Sequence, residues 1–523
     1  MTNEKTGNYI KLSENDIKVL ELREITVEKI NRQINLIKRG TNFIELVRPC
    51  TVNDGLLQID EANNNHLLEL HQNALANGRF AKFVPASGAA SRMFRKLEAV
   101  LNTYNSVTLD ELKKNADSKQ AEAYAVRFLE NLNNFAFYQE LKNGLESQNY
   151  DVDKLLEGGN VLIIINYLIN PEGMNYTNKS KALLKFHKYP DENRTAFEEH
   201  VKEGIQYAGS NDRVILYFTV PPGQIEDFEV LAEKMKEKYS DFNLEIIFSF
   251  QKKSTDTIAL NNEDELFRDN GEILFRPGGH GALLQNLNDL DEDLVYIKNV
   301  DNVQREENIE TTILYKKLIA GLLIEKQSKI FELLELLENS DIDNAVIKES
   351  EEFLKDELMI EIREDYEQYS LQKKREYLFS LLNRPIRVCG MVWNEKEPGG
   401  GPFWIKDNDG SISKQIIESA QVNDEDSNQG ELFESSTHFN PVDLIIGLRD
   451  YKGKTFDLNE YVNNDAVFVA NKSKNGHALK SLELPGLWNG SMHHWISIFV
   501  EVPKSTFTPV KDVNDLLRKA HSC

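Results

Sequence analysis

Residues 84 to 96, VPASGAASRMFRK, place an arginine directly after a run of small side chains. Ala86, Ser87, Gly88, Ala89, Ala90 and Ser91 leave the backbone bare enough to approach a ligand closely. A helix starting at about Ser91 would offer unpaired N–H groups to a phosphate, and Arg92 adds a planar cationic fork suited to oxyanions. With one glycine and no GK[ST], the stretch matches neither the dinucleotide fingerprint nor the Walker pattern. Taken alone, it reads equally as a tight structural turn or as a phosphate site.

Three further stretches carry chemistry-bearing residues. In SKALLKFHKYPDENRTAFEEHVKEG (180–204), Lys181 precedes an apolar turn, and a helix begins near Thr195. By itself Lys181 reads as a surface lysine, and Glu198 and Glu199 read as a solvated helix face. In LFRPGGHGALLQNLNDL (274–290), Gly279, His280 and Gly281 permit a turn pressed against a flat group, or simply a structural turn. In YIKNVDNVQ, an apolar strand ends at Asp301 and Asn302, which puts a carboxylate at the carboxyl edge of a sheet, where open α/β sheets bind ligands. A lone aspartate there suits Mg2+, which takes one or two carboxylates plus substrate phosphates. The glycines at 399 to 401 with Phe403 and Trp404 read as a sugar-stacking loop or, more simply, as a hairpin with buried aromatics. His493 and His494 are read as structural, because neighbours on a strand face opposite ways.

The elements that must position these residues follow from periodicity. FAKFVPASGAA, VILYFTV (214–220), LEIIFSF (244–250) and LVYIKNV (294–300) read as buried strands, and IEDFEVLAEKMKEKY as an intervening helix, the rhythm of βαβ units. We therefore expect an α/β protein: a mostly parallel Rossmann-like core with two helical insertions and a C-terminal α+β part. Residues 1–75 form a helical entry segment with Ser13 as an N-cap, and 76–305 form the α/β core, with an insertion at about 105–157. Residues 306–382 form a second, solvated helical insertion, and 383–523 complete the core. The acidic run VNDEDSNQGE (422–431) reads as a mobile loop.

Composition restricts the partners. Lys+Arg 61 against Asp+Glu 85 gives a net charge of −24, which disfavours nucleic acid and anionic membranes. The longest apolar run, VLIIINYLI, is too short to span a bilayer and the polar start is no signal peptide, so the expected location is the cytoplasm. Cys50, Cys389 and Cys523 are too dispersed for a disulfide framework or a zinc knuckle.

The order of the four stretches resembles that of the nucleotide-sugar pyrophosphorylases. Ser87-Gly88-Ala89-Ala90-Ser91-Arg92-Met93 resembles their G-G-x-G-T-R-L loop, with Ser87 and Ala90 replacing two of its three glycines. Ser180-Lys181-Ala182-Leu183-Leu184 resembles their P-K-x-L-L segment, although here it lies about 90 residues downstream of the loop. The UDP-sugar branch supplies likenesses for Gly279-His280-Gly281, for the metal strand Val300-Asp301-Asn302, for Gln251 as the uridine-reading glutamine, and for Leu482-Glu483. VPKSTFTPVKDVNDLL, from Val502 to Leu517, is similar to that branch's V-P-R-S-R-F-x-P-V-K-x-x-x-D-L-L. The whole chain also resembles a bacterial family of unknown function.

The resemblance implies a GT-A-type nucleotide-diphospho-sugar transferase core and a Mg2+-dependent nucleotidylyltransferase using a nucleoside triphosphate, UTP favoured, and a sugar 1-phosphate. It implies Arg92, Lys181 and Lys511 as phosphate-contacting residues and Asp301 as the metal ligand. Ala86 to Ser91, Gln251 and Gly279 to Gly281 would hold the nucleotide, and Glu418, Asn440 and Glu483 the sugar. A noncatalytic nucleotide-binding protein and a GT-A-type glycosyltransferase stay open as alternatives.

Overall fold

A computed structural model describes residues 12–210, 213–339, 343–395 and 399–522. The chain divides into two compact units, the first from Met1–Leu67, Gln251–Leu294 and Ile319–Val502, the second from Leu68–Phe250, Val295–Leu318 and Pro503–Cys523. It is a mixed α/β protein with largely parallel central strands.

In the second unit, neighbouring strands run in the order Leu294–Lys298, Phe80–Pro85, Arg213–Thr219, Asn243–Ser249. The last three are parallel, with Lys82 opposite Leu216 and Leu216 opposite Ile246. Every residue from Phe80 to Val84 is buried, as expected of a parallel strand covered on both faces. Helix Ala196–Ala208 begins at a Thr195/Glu198 capping box, and Phe197 and Val201 pack with Phe218, Phe228 and Met235. The strand order reverses between Phe80–Pro85 and Leu294–Lys298, the kind of switch point where α/β sheets leave a crevice. The apolar run at 161 is the helix Leu162–Ile169, buried among Phe128, Phe135 and Phe137.

In the first unit, the strand Ile386–Trp393 lies parallel to Ile496–Glu501 and antiparallel to Asp443–Gly447. The strands Glu45–Pro49, Gly401–Lys406 and Ile412–Ile417 form an antiparallel sheet, so the 399–401 stretch opens a hairpin with Phe403 and Trp404 buried. Ser13 caps the helix Glu14–Leu22 as read from the sequence.

Two expectations fail here. The helix Glu310–Glu338 is not solvated: Leu323, Leu333, Leu334 and Leu337 are at most 1 % exposed, because its apolar residues outrun a single stripe. The acidic run at 422–431 is no mobile loop either, since Asp426 caps a helix at Ser427–Glu434 by accepting from the Asn428 and Gln429 N–H groups. Among the described residues, no helix is long and apolar enough to cross a membrane.

Candidate functional site

Three segments distant in the chain meet where the Phe80–Pro85 and Leu294–Lys298 strands end. The small-residue loop is stitched to residues 178–182: Ser180 Oγ donates to the Ala86 carbonyl at 2.6 Å, and the Ala90 N–H to the Lys179 carbonyl at 2.9 Å. Gln224 holds the same segment, accepting from the Ser180 N–H at 2.8 Å. The third segment is the C-terminal tail. Its Val510 N–H donates to the Asp301 carbonyl at 3.0 Å, and its Thr508 N–H to Asn302 Oδ1 at 3.0 Å.

Lys181 spans the junction, with Nζ 2.8 Å from Asp301 Oδ2 and 3.0 Å from the Val510 carbonyl. Burial disfavours ionisation of Asp301, but the Lys181 charge, and then that of Lys511, outweighs it and holds the carboxyl below its usual range. Lys511 itself is exposed. Its backbone is fixed, because Asp515 Oδ2 accepts from the Lys511 N–H at 2.7 Å, and the next residue, Asp512, accepts from Lys96 at 3.2 Å and Tyr124 at 2.6 Å.

The helix Ser91–Thr103 starts at Ala90 with no side-chain cap; the Met93 N–H donates to the Ala90 carbonyl at 2.8 Å, which leaves the Ser91 and Arg92 N–H groups for an anion. Arg92 is exposed in that first turn, with no salt-bridge partner among the described residues. A Cβ at Gly88 would meet nothing within 4 Å. The loop is open on that side, and the fold itself does not require the glycine.

The first unit assembles the other set. His280 Nδ1 accepts from the Leu487 N–H at 3.1 Å, which leaves Nε2 to carry the proton, 3.9 Å from Glu418 Oε1. Its ring stacks on Trp488 with centroids 4.2 Å apart. Burial lowers the His280 pKa, opposed by Glu418 and Glu483. Gly281 is required by packing, since a Cβ there would stand 2.0 Å from the Pro485 carbonyl oxygen. Gly279 adopts φ +77° beside Glu483, which pairs with Lys472 at 2.8 Å. Asn440 donates its N–H to the Gly400 carbonyl at 2.8 Å, and a Cβ at Gly400 would lie 3.2 Å from Glu418 Cγ. The Asn440 amide nitrogen is buried without a partner among the described residues. Gln251, half-buried after the Asn243–Ser249 strand, belongs to this unit by contact.

The profile of DUF4301, described as a domain of unknown function, matches residues 13–522. The chain belongs to the DUF4301 family. No curated protein sequence matches it. Among solved structures, it is similar to a uridine diphosphate N-acetylglucosamine pyrophosphorylase from Trypanosoma brucei in complex with an inhibitor, at 12 % identity and TM-score 0.46, over 96 % of this chain and 76 % of that one. It is also similar to a UDP-glucose pyrophosphorylase variant from Leishmania major in complex with UDP-glucose, at 12 % identity and TM-score 0.42, over 97 % and 79 % of the two chains.

The DUF4301 chain also holds buried polar groups that its sequence pattern conceals. Glu198 and Glu199 are not solvated but 2 % and 4 % exposed. Glu198 closes the capping box and accepts from Lys234 at 2.7 Å. Glu199 accepts from Tyr189 at 2.8 Å and pairs with His187 Nδ1 at 2.8 Å, and His187 Nε2 lies 2.9 Å from His521 Nδ1. Partners supplied by distant segments outweigh the helix-face reading. Behind Asp301, Glu203 accepts from Lys298 at 2.8 Å and Lys82 at 3.4 Å, all fully buried. The lysines inside the apolar strands FAKFV and LVYIK are the visible signals of this cluster. His493 and His494 lie in a turn before the Ile496–Glu501 strand rather than on it, and His493 Nε2 bonds Asp407 Oδ1 at 2.8 Å.

Proposed function

We propose that this chain is a sugar-1-phosphate nucleotidylyltransferase on a GT-A-type core, joining a nucleoside triphosphate, UTP by preference, to a sugar 1-phosphate with release of pyrophosphate. The observation that carries this reading is the convergence of Lys181, Asp301 and Lys511 beside an open small-residue loop and an uncapped helix N-terminus. A sugar 1-phosphate is already an anionic nucleophile at neutral pH. Its oxygen bonds the α-phosphorus as the α–β phosphoanhydride breaks, so the protein has to align phosphates and absorb charge, with no need for a general base.

Arg92 and the free N–H groups of its helix receive the β- and γ-phosphates. Lys181, released from Asp301, follows the α-phosphate and the leaving group, and Lys511 holds the sugar phosphate. Gln251 and Gly279 to Gly281 are assigned to the nucleotide, and Glu418, Asn440 and Glu483 to sugar hydroxyls. The unpartnered Asn440 amide supports that last assignment.

Asp301 fits a magnesium ligand: it is a single carboxylate kept ionised, and among the described residues no cluster of three metal-ligating side chains exists. Mg2+ tolerates so sparse a donor set because phosphates and water complete its shell. When bound, Mg2+ supplies positive charge to the polyphosphate.

The test is pyrophosphate release from a panel of triphosphates and sugar 1-phosphates with Mg2+. UTP-dependent release is expected. Saturable nucleotide binding without turnover would replace this reading with a noncatalytic binding protein, which the mutual neutralisation of Lys181 and Asp301 favours. Transfer from a nucleotide sugar to an acceptor would replace it with a glycosyltransferase.

A further inference from the structure

In the second unit, a cavity of about 800 Å³ opens between the carboxyl end of helix Ser91–Thr103, the helix Leu162–Ile169 and the turns at 148–150 and 170–173. The volume lies toward the top of the range for small-molecule sites, roughly 300–1,000 Å³, which gives room for several linked rings. It is separate from the proposed phosphate site. Asn102 in its wall stands ten residues along the helix from Arg92, roughly 15 Å at a rise of about 1.5 Å per residue.

Among the described residues, no lysine, arginine or histidine lines this cavity; six side-chain amides and three tyrosines do. The side chains of Asn102, Asn105 and Gln148 make no hydrogen bond among the described residues. Asn170 Nδ2 donates to Asn166 Oδ1 at 2.5 Å, which leaves Asn166 Nδ2 as an unengaged donor and Asn170 Oδ1 as an unengaged acceptor. Turning both amides over leaves the same two capacities. The sixth amide is structural, since Asn160 Oδ1 accepts from the Val107 and Leu162 N–H groups, each at 3.2 Å.

One ring is built into this wall at a cost to the fold. Gly144 occupies the interior of helix Tyr138–Ser147, where glycine weakens a helix. A Cβ there would stand 2.2 Å from Tyr167 Oη and 2.6 Å from its Cζ, and one at Gly173 would stand 2.0 Å from the Tyr167 carbonyl oxygen. Both glycines therefore make room for Tyr167, which packs against the core cluster that includes Phe128 and Phe135. Its hydroxyl makes no hydrogen bond among the described residues. Tyr150, 40 % exposed, offers a second ring. An oxyanion entering here would lose water and find no cation in return, only Glu98 and Glu172, which make no ion pair among the described residues. A hydroxyl both donates and accepts, as an amide does, and a tyrosine face takes apolar C–H surface.

We propose that this cavity is a second binding site, for an uncharged saccharide chain. Asn102, Asn105, Asn166 and Asn170 hydrogen-bond its hydroxyl groups, and its rings lie against Tyr150 and Tyr167. The site does not depend on the nucleotidyl-transfer reading.

The experiment is calorimetric titration of the full chain with maltotetraose, with tetra-N-acetylchitotetraose and, as the cationic alternative, with spermidine. Saturable binding of at least one tetrasaccharide is expected, and the tighter one identifies the sugar class. Asn166→Ala and Tyr150→Ala should each weaken that binding roughly fivefold, as loss of one hydrogen bond or one ring contact does. Both side chains are exposed, so both variants keep the fold. Arg92→Ala should leave the affinity unchanged, because the proposed phosphate site lies elsewhere. No saturable binding of either tetrasaccharide, unchanged affinity in both cavity variants, or loss of binding in Arg92→Ala would overturn the proposal. Binding of spermidine alone, lost in Glu98→Gln, would assign the cavity to an organic cation instead.

Discussion

Lys181 Nζ and Asp301 Oδ2, 120 residues apart in sequence, lie 2.8 Å apart, with side chains 14 % and 12 % exposed. A pair this enclosed is costly to break from one side, because the survivor keeps its charge without compensation. Lys181→Met and Asp301→Asn should each lose roughly 2–4 kcal/mol in urea unfolding, and the double variant less than the sum. Additive losses would mean that the contact is incidental to stability.

Arg92 behaves differently. It is exposed and pairs with nothing among the described residues, so its removal should leave the melting temperature within a degree or two of the parent. If Arg92 meets the departing phosphates, Arg92→Ala lowers kcat/KM by about 10² or more, the cost of a lost preorganised donor. Near-parental turnover would remove Arg92 from the machinery.

The two glycine motifs separate in the same way. A Cβ at Gly281 would stand 2.0 Å from the Pro485 carbonyl oxygen, whereas one at Gly88 meets nothing within 4 Å. Gly281→Ala should therefore destabilise by several kcal/mol, on the scale of an overpacked core. Gly88→Ala should fold as the parent does and weaken only the binding of a triphosphate, measured by titration with UTP. Unchanged UTP affinity would make the 86–91 loop an ordinary turn.

The strands and the helix starts after Ser91 and near Thr195 were legible because each rests on local pattern, whereas the capping box that Glu198 closes reads as a solvated face. Lys181 was legible only through likeness to a motif, since a lone lysine in polar sequence looks like any surface lysine. What brings it to Asp301 is a set of main-chain bonds, from Ser180 to Ala86 and from Val510 to Asp301, and such bonds leave no trace in residue type. The same blindness hid Glu199, whose partner His187 sits 12 residues before it and in turn meets His521, 334 residues further on.

Glu203 offers a sharper test of that hidden layer. It is the carboxylate partner of both Lys82 and Lys298, each fully buried, and its own pKa is held far below the usual range: burial opposes ionisation, and Lys298 and then Lys82 overcome it. Glu203→Gln strands buried ammonium groups and should cost about 3–5 kcal/mol. Adding Lys298→Met to that variant should recover part of the loss. Failure to recover would place the cost in packing rather than in charge.

The His187–His521 contact ties the tail that carries Lys511 into the second unit, and it sets a pH dependence. His187 Nδ1 lies 2.8 Å from Glu199 Oε1, and its Nε2 lies 2.9 Å from His521 Nδ1. Burial, then the His187 charge, pushes the His521 pKa down to about 3. A base whose folded pKa is depressed binds its proton more readily when unfolded, so its contribution is intact above about pH 6.5 and is lost as pH falls toward 3. His521→Phe keeps the ring and removes the titration. The parent should lose stability between about pH 6 and 4 more steeply than His521→Phe, read as the slope of unfolding free energy against pH. The variant should also bind phosphate ligands more weakly at neutral pH, because the tail holding Lys511 is less firmly tied. Identical slopes with unchanged affinity would show that the tail is held by its other contacts alone, chiefly Asn302 with Thr508 and the apolar packing of Val510, Val513 and Leu516.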